Sequence, residues 1–327
     1  MKGYSTPDMS IWHGRIDSTS DYKSFRWHQV IDELDLSEEI KQAPTSLSFV
    51  LIGYKVDVGI ILNGGRPGAK NGPDKIREFI CNKPCSNNKN IKIFDGGNIT
   101  YTASVEQAQE TLAKLITKCL ENNYFPIVMG GGHDVSYGTM SSLINHLDII
   151  NNNFGMINFD AHFDNRPYER STSGTMFRQI YDDIKAKGAK FNHLTLGIQK
   201  SGNTISLFDY AKSIKSEYIL AGDITHENRA INHYRLNEFI KKQDYLYVCV
   251  CSDVFASPYA PGVSSPQPMG IDPELFLELL KDTLKAKKVV AFDIAEISPD
   301  LDSSNATASL GALIIYSLVN YLGEITK

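Results

Sequence analysis

The sequence predicts an α/β fold: a three-layer αβα sandwich with a mostly parallel central sheet. Short apolar runs of strand character alternate with longer stretches of helical spacing along the chain. Such alternation is typical of parallel strands that are covered by helices on both faces. The 327 residues contain no internal repeat, low-complexity tract or domain-sized linker, so we expect a single domain over residues 1–327.

Residues 1–40 are polar and aromatic, and we expect them to form an N-terminal arm that packs on the main body. A first buried strand is predicted at residues 48–53, where an apolar run ends in glycine. The loop at residues 63–73 is long and rich in glycine, which is typical of the rim of a site, although a plain surface turn is the alternative. Pro73 suits the first turn of a helix.

Further strands are predicted at residues 91–94, 125–129, 155–159, 193–198, 218–221, 245–250 and 289–294. A helix is predicted to begin after Ser104, because Ser104 and Gln107 form a capping-box pattern and apolar residues then recur at helical spacing. Helices are also predicted at residues 273–287 and 306–322, the second of them apolar.

The composition is that of an ordinary soluble protein, with 42% hydrophobic and 22% charged residues. The net charge of −5 gives no reason to expect binding to nucleic acid or to an anionic membrane. We expect no run long enough to span a bilayer and no secretory signal. Five cysteines, an odd number, favour reduced thiols in the cytoplasm, and Cys81 and Cys85 are expected in a surface segment.

The stretch at residues 155–164 carries the strongest chemical signal. An apolar run there ends in Asp160, His162 and Asp164, spaced two residues apart. If the strand geometry continues, these three side chains share one face and could bind a metal ion. Charged residues also crowd ordinary strand ends, so this motif alone leaves the metal site open.

Three other polar segments also follow predicted strands directly: 132–134 with His133, 251–253 with Cys251 and Asp253, and 293–296 with Glu296. Ligands of open parallel sheets bind outside the carboxyl ends of the strands, so this shared placement favours a metal site. Three glycines precede His133, and glycines let the backbone approach a site closely.

These motifs resemble the ureohydrolase family of arginases, agmatinases and formimidoylglutamases. The family patterns GGGHD and DAHxD stand at residues 130–134 and 160–164, and the pattern ExxP stands at 296–299. The usual Asp-x-Asp appears as Cys251-Ser252-Asp253, followed by Ala-Pro-Gly at 260–262. The formimidoylglutamase branch is the most similar, through WHGRID at 12–17, GRPGAK at 65–70, SGTMFR at 173–178 and APGVSSP at 260–266. Phe177 stands where arginases place a proton-relaying histidine.

The resemblance implies an arginase-like fold, two Mn²⁺ ions per subunit and a homo-oligomer. The implied metal ligands are His133, Asp160, His162, Asp164, Cys251 and Asp253. Carboxylates that share one cleft repel each other, and two divalent ions would neutralise them. Cys251 departs from the family pattern: a metal-bound thiolate supplies the charge of aspartate, but sulfur is a donor that manganese does not favour. The alternative is that Cys251 is a small core residue beside Cys249.

The implied reaction is hydrolysis of N-formimino-L-glutamate to L-glutamate and formamide, a step of histidine degradation. Asp164 is the candidate general acid and Glu296 the candidate partner of the cationic amidine. Arg166, Arg178 and Asn203 are candidates for binding the two substrate carboxylates, with Lys200 and Ser201 as further possibilities. Two alternatives stay open: another amidine or guanidine hydrolase, agmatinase-like or acting on a guanidino acid, and a metal-poor, non-catalytic family member.

Overall fold

A computed structural model describes residues 1–86 and 88–326. Ten strands within these residues form one sheet: β1 (Tyr4–Ser5), β2 (Ile31–Glu33), β3 (Ser48–Lys55), β4 (Lys92–Thr100), β5 (Phe125–Met129), β6 (Phe154–Phe159), β7 (Asn192–Ile198), β8 (Glu217–Leu220), β9 (Tyr245–Cys251) and β10 (Val289–Ala295). The strand order is β1-β4-β3-β5-β10-β9-β6-β7-β8, and β2 also pairs with β4. Only the pairing of β1 with β4 is antiparallel among these strands. One sheet drawn from residues 4 to 295 supports the single domain that we propose.

Helices cover both faces of the sheet. In the described residues they are α1 (Val58–Leu62), α2 (Gly72–Ile80), α3 (Val105–Glu121), α4 (Val135–His146), α5 (Met176–Ala186), α6 (Ile205–Ser213), α7 (Arg229–Lys241), α8 (Pro273–Lys285) and α9 (Ala306–Ile325). The helices α2, α7, α8 and α9 share one apolar core with the sheet, whereas α3, α4 and α5 pack on the opposite face. The predicted three-layer αβα sandwich is therefore confirmed.

The alternation of side chains along β3 explains how one strand serves two cores. Phe49 and Leu51 point to the core that contains α2, and Val50 and Ile52 point to the core that contains α3. Every one of these side chains is at most 1% exposed, which is why the strand reads as an unbroken apolar run.

The predicted starts of two helices are confirmed. The Ser104 hydroxyl accepts a hydrogen bond from the backbone N–H of Gln107 at 3.1 Å, so α3 is capped as the pattern indicated. Pro73 lies in the first turn of α2. The strand predicted at 91–94 is too short, because β4 continues to Thr100 through a bulge at the left-handed Gly97 (φ 77°).

The N-terminal arm adds strands to the sheet rather than only packing on it. Both β1 and β2 pair with the outer side of β4. The Trp12 indole N–H donates to Asp95 Oδ2 at 2.7 Å, and Asp95 also receives two hydrogen bonds from Arg77 at 2.8 and 2.9 Å. Arg77 and Asp95 are buried, so this triad ties the arm, β4 and α2 together without solvent screening.

Two expectations from composition need correction. Helix α9 is long and apolar enough to cross a membrane by length and mean hydropathy (1.4), but 56% of its most apolar window is buried inside the protein, as in a core helix. Cys81 is not in a surface segment: it is 3% exposed and belongs to the core beside α2, whereas Cys85 is half-buried.

Candidate metal centre

The strand order brings together the segments that carry the candidate ligands and Glu296. Strands β5, β10, β9 and β6 are consecutive neighbours, and all run parallel. Their carboxyl ends therefore meet at one edge of the sheet. Residues far apart in the chain, from His133 to Glu296, reach the same place for this reason.

Segment 160–164 reaches the site by a turn and not by continued strand. Strand β6 ends at Phe159, so the expected strand alternation of Asp160, His162 and Asp164 is wrong. Instead, the backbone N–H of His162 donates to Oδ1 of Asp160 at 2.8 Å, and Asp164 has a left-handed backbone (φ 42°). The turn still directs all three side chains into one cluster.

The glycines before His133 permit a close backbone approach, as expected. A Cβ at Gly131 would lie 2.0 Å from the carbonyl oxygen of Val56, so only glycine fits there. The N–H of Gly132 donates to the same carbonyl at 2.9 Å. This packing aims His133 at the cluster, whereas Asp134 turns away and accepts a hydrogen bond from Tyr54 at 2.8 Å.

Asp160 stands between two histidines. Its Oδ2 lies 3.0 Å from Nδ1 of His133, and its Oδ1 lies 3.7 Å from Nδ1 of His162. The residue is fully buried. A carboxylate that offers one oxygen to each side is suited to bridge two metal ions.

The segment after β9 completes the two ligand groups. The first group contains His133, Asp160 and Cys251, and the second contains Asp160, His162 and Asp253; within each group the ligand atoms lie within 4.8 Å of one another. Strand β9 ends at Cys251, and residues 252–254 form a 3₁₀ turn. Asp253 nevertheless lies 3.0 Å from His162 Nδ1.

Asp164 contacts the first group and the cavity above it. Its Oδ2 lies 3.1 Å from Nδ1 of His133, and its Oδ1 lies 3.5 Å from a guanidinium nitrogen of Arg166. Asp164 therefore stands between a metal-ligand candidate and a cation at the cavity wall.

The pKa shifts within the cluster show that its buried carboxylates favour positive charge nearby. Burial and the charge of Asp253 raise the pKa of Asp160. Burial alone would lower the pKa of His162, but Asp253 and Asp160 outweigh it and raise that pKa to about 10. The buried carboxylates thus favour positive charge at this place, which two divalent ions would supply.

Glu296 faces this cluster from the end of β10. Its backbone is left-handed (φ 65°), and its N–H donates to the carbonyl of Gly131 at 2.8 Å. Burial, with the nearby charge of Asp253, raises its pKa to about 8. Within the described residues, its buried Oε2 accepts no hydrogen bond, so this oxygen is available to a ligand. Asp293, three residues earlier, instead accepts hydrogen bonds from core hydroxyls, including that of Thr139 at 3.0 Å.

A cavity of about 270 Å³ opens over the cluster. Its walls are formed by Asn63, Gly64, Gly65, His133, His162, Asp164, Arg166, Ser173, Cys251, Asp253, Ser264, Ser265 and Glu296. A larger groove of about 660 Å³ lies elsewhere, on the outer surface of α3 and α4, and contains none of the ligand candidates. We assign the site to the smaller cavity because the converging carboxylates and histidines lie there.

Two of the expected substrate contacts lie outside the cavity. Arg178 stacks on Tyr210, with 3.7 Å between the guanidinium carbon and the ring centroid. Asn203 is buried: its amide donates to the carbonyls of Ala161 and Gln199 and accepts from the N–H of Phe163. Its amide therefore braces the turn that carries the metal-ligand candidates.

Lys200 and Ser201 also lie outside the cavity, and both are exposed. Their place after a predicted strand suggested these two residues, but such a place does not specify the direction of a side chain. Of the candidates for carboxylate binding, Arg166 lines the cavity.

Four cavity residues were not singled out from the sequence: Asn63, Ser173, Ser264 and Ser265. Each lies in a stretch noted above for its glycine content (63–73) or for its resemblance to the family (173–178 and 260–266). The sequence motifs therefore identified loops that line the cavity, but not which of their side chains face it. Of the loop predicted at 63–73, residues 63–65 line the cavity, whereas Ala69–Asn71 form a 3₁₀ turn and α2 begins at Gly72.

Known proteins match the chain over most of its length. A model of the arginase family matches residues 47–320. Formimidoylglutamase from Clostridium tetani (strain Massachusetts / E88) is 43% identical over 328 residues, covering 98% of this chain and 97% of the relative. Formimidoylglutamase from Legionella pneumophila (strain Paris) is 38% identical and covers 98% of both chains.

Solved structures agree with these sequence matches. Formiminoglutamase from Trypanosoma cruzi, crystallised with Mn²⁺, is 25% identical with a TM-score of 0.76 and covers 90% of this chain and all of its own. Formimidoylglutamase from Bacillus subtilis subsp. subtilis str. 168 shares the fold, with a TM-score of 0.79 at 22% identity over 94% of both chains. With the ligand motifs gathered at one edge of an αβα sandwich, the chain belongs to the arginase family.

Proposed function

We propose that the protein is a formimidoylglutamase, which hydrolyses N-formimino-L-glutamate with one water molecule to L-glutamate and formamide. The observation that carries this proposal is the free, buried Oε2 of Glu296, which faces two clustered ligand groups in one cavity. Relatives that carry this name and are 38–43% identical over nearly the whole chain support the substrate.

The donor set fits two divalent metal ions. Three carboxylates and two imidazoles converge in a buried cluster, and Asp160 offers one oxygen to each histidine. We infer that His133, Asp160, Asp164 and Cys251 would hold one ion, and that Asp160, His162 and Asp253 would hold the other, with Mn²⁺ as the ion. When bound, such a pair lowers the pKa of water and so supplies a nucleophile at neutral pH.

Glu296 is positioned to hold the amidine. The formimino group is cationic, and the unpaired Oε2 of Glu296 can accept charge-assisted hydrogen bonds from it. Burial raises the pKa of Glu296 to about 8, and a cation beside this carboxyl group would favour its ionised form. These bonds would orient the amidine carbon toward the ligand groups.

Asp164 is our candidate for moving the proton. Attack of water on the amidine carbon must be followed by protonation of the glutamate nitrogen before the C–N bond breaks. Asp164 lines the cavity and lies 3.1 Å from His133, within reach of both the ligands and a bound substrate. A positioned carboxyl group can take a proton from the water and deliver it to the leaving amine.

Polar side chains of the cavity wall supply donors for the substrate carboxylates. Arg166 is 37% exposed there and is the cavity cation. A Cβ at Gly174 would lie 2.4 Å from Asn63 Oδ1 and 2.7 Å from the Arg166 guanidinium, so glycine keeps the space between them open. We propose that Arg166 binds one carboxylate, with Asn63 and Ser173 as neighbouring polar groups.

The test is an assay of manganese-loaded protein for formamide and glutamate release from N-formimino-L-glutamate, with arginine and agmatine in parallel. We expect turnover of N-formimino-L-glutamate alone. Turnover of a guanidine instead, or of none of the three by protein that demonstrably contains two ions per chain, would overturn the substrate assignment.

We also propose a cytoplasmic homo-oligomer; the five free cysteines, all within the described residues, support a reducing compartment.

A further inference from the structure

The two ligand groups share Asp160 but differ in chemistry. In the first group the remaining ligand atoms are an imidazole nitrogen of His133 and the sulfur of Cys251. In the second group they are an imidazole nitrogen of His162 and a carboxylate oxygen of Asp253. Sulfur is therefore present on one side of the shared carboxylate only.

The sulfur belongs to the cluster and not to the core beneath it. Cys251 is 2% exposed, lines the cavity and lies within 4.8 Å of the His133 and Asp160 ligand atoms. Cys249, two residues earlier, packs in the core with α4 and α5, and its sulfur lies 3.1 Å from Asn158 Oδ1. Cys249 is in neither ligand group. The chain thus supplies a natural control for Cys251.

Donor type governs which ion each position prefers. Thiolates select softer ions such as Zn²⁺, whereas the general order of affinity that places Co²⁺ and Zn²⁺ above Mn²⁺ applies to both positions. Carboxylate and carbonyl oxygens suit Mn²⁺. A position with a thiolate and a position without one, joined by one carboxylate, therefore differ in selectivity.

We propose that the His133–Asp160–Cys251 position is a thiophilic site that binds Zn²⁺ or Co²⁺ through a metal–thiolate bond in preference to Mn²⁺, while the Asp160–His162–Asp253 position retains Mn²⁺. On binding, the S–H bond of Cys251 breaks, the proton leaves to solvent and the sulfur lone pair is donated to the ion. The inference rests on the proposed function, because it takes this cluster to be the catalytic metal centre; it changes the identity of one ion.

The first experiment is a Co²⁺ titration of the metal-free full-length protein, followed by near-ultraviolet absorbance and by metal analysis. We expect a thiolate-to-cobalt charge-transfer band in the wild type that saturates at about one equivalent. Cys251→Ala and Cys251→Asp should lack the band, and Cys251→Asp should still bind two ions. Cys249→Ala should keep the band, because its sulfur is outside both groups.

Competition supplies a second readout. Manganese-loaded protein dialysed against Zn²⁺ should exchange one ion and keep the other, and Cys251→Asp should reduce the Zn²⁺-over-Mn²⁺ preference at least about 10-fold. Bound cobalt without the band, a band that survives in Cys251→Ala, no cobalt binding, or an unchanged preference in Cys251→Asp would overturn the inference. Hydrolysis of N-formimino-L-glutamate without the band rejects the thiophilic site alone, whereas the band without hydrolysis rejects the substrate alone.

Discussion

The backbone N–H of His162 donates a hydrogen bond to Oδ1 of Asp160 at 2.8 Å, directly after β6 ends. This short turn fixes which oxygen of Asp160 faces which histidine. Oδ1 is directed to the side of His162, whereas Oδ2 lies 3.0 Å from His133 Nδ1 and also accepts a hydrogen bond from the Asn158 amide at 3.2 Å. The local hydrogen bond thus gives the cluster its two-sided arrangement.

The first prediction concerns metal stoichiometry. Asp160→Asn should reduce the metal content to below one ion per chain, because both ligand groups use this carboxylate. Asp253→Asn should keep about one ion, since it affects the second group only. The measurement is metal analysis after dialysis. Two retained ions in Asp160→Asn would contradict the bridging role.

The second prediction separates substrate binding from metal binding. Glu296→Gln should lower kcat/KM for N-formimino-L-glutamate by about 10- to 100-fold, because it removes charge-assisted hydrogen bonds worth about 1.5–3 kcal/mol. Metal content should not change, since Glu296 is in neither ligand group. Steady-state kinetics with metal analysis provide the check, and a parallel loss of metal would instead make Glu296 a ligand.

The third prediction contrasts two arginines. Arg166→Ala should raise KM for the anionic substrate on the order of 10-fold or more, because the cavity loses its guanidinium. Arg178→Ala should leave KM unchanged and reduce the free energy of unfolding by about 1 kcal/mol, through loss of stacking on Tyr210. Kinetics and urea denaturation distinguish them. Equal effects on KM would return Arg178 to the substrate site.

The fourth prediction concerns the stability of the metal-free protein. The pKa of His162 rises from 6.5 to about 10 on folding, chiefly because Asp253 outweighs the effect of burial. The folded state then binds the proton more tightly, so this contribution is complete below pH 6.5 and is lost as pH rises toward 10. Urea denaturation with chelator should show unfolding free energy falling between these limits, by at most about 1.4 kcal/mol per pH unit. In His162→Asn, the unfolding free energy should fall less steeply with pH. An unchanged slope would mean that other titratable groups cause the pH dependence.

The fifth prediction tests the arm. Asp95→Ala should lower the free energy of unfolding by about 3–5 kcal/mol, because it leaves the buried Arg77 without its carboxylate and Trp12 without its acceptor. Asp74→Ala is the matched control. Asp74 lies 3.6 Å from Arg77 but is 38% exposed, so its removal should cost below about 1 kcal/mol. Similar losses of unfolding free energy in both variants would contradict the larger contribution expected from the buried Asp95.

Sequence patterns predicted those features that depend on local order. The strand at Phe125–Met129 was predicted with its observed bounds, because a single apolar run of five residues is bounded by turn signals. The ligand candidates from His133 to Asp253 were predicted because each directly follows a strand, and parallel strands end at one edge.

Other features depend on contacts between distant segments, which periodicity does not encode. The pairing of Arg77 with Asp95 and Trp12 joins three elements, and no spacing in the chain indicates it. Asn203 was expected at the substrate because it follows a strand, but its amide satisfies backbone groups in two loops instead. The sequence can indicate that a residue lies at a strand end. The direction of its side chain, however, depends on tertiary packing.

The bracing by Asn203 has a consequence for ion selection by size. Its amide fixes the carbonyl of Ala161 and the N–H of Phe163 on either side of His162, and it also holds Gln199 after β7. A turn secured in this way is preorganised and has little freedom to contract or expand around a guest. A rigid turn of this kind would favour an ion whose radius matches its spacing, so the amide of Asn203 would contribute to size selection without contacting the ion.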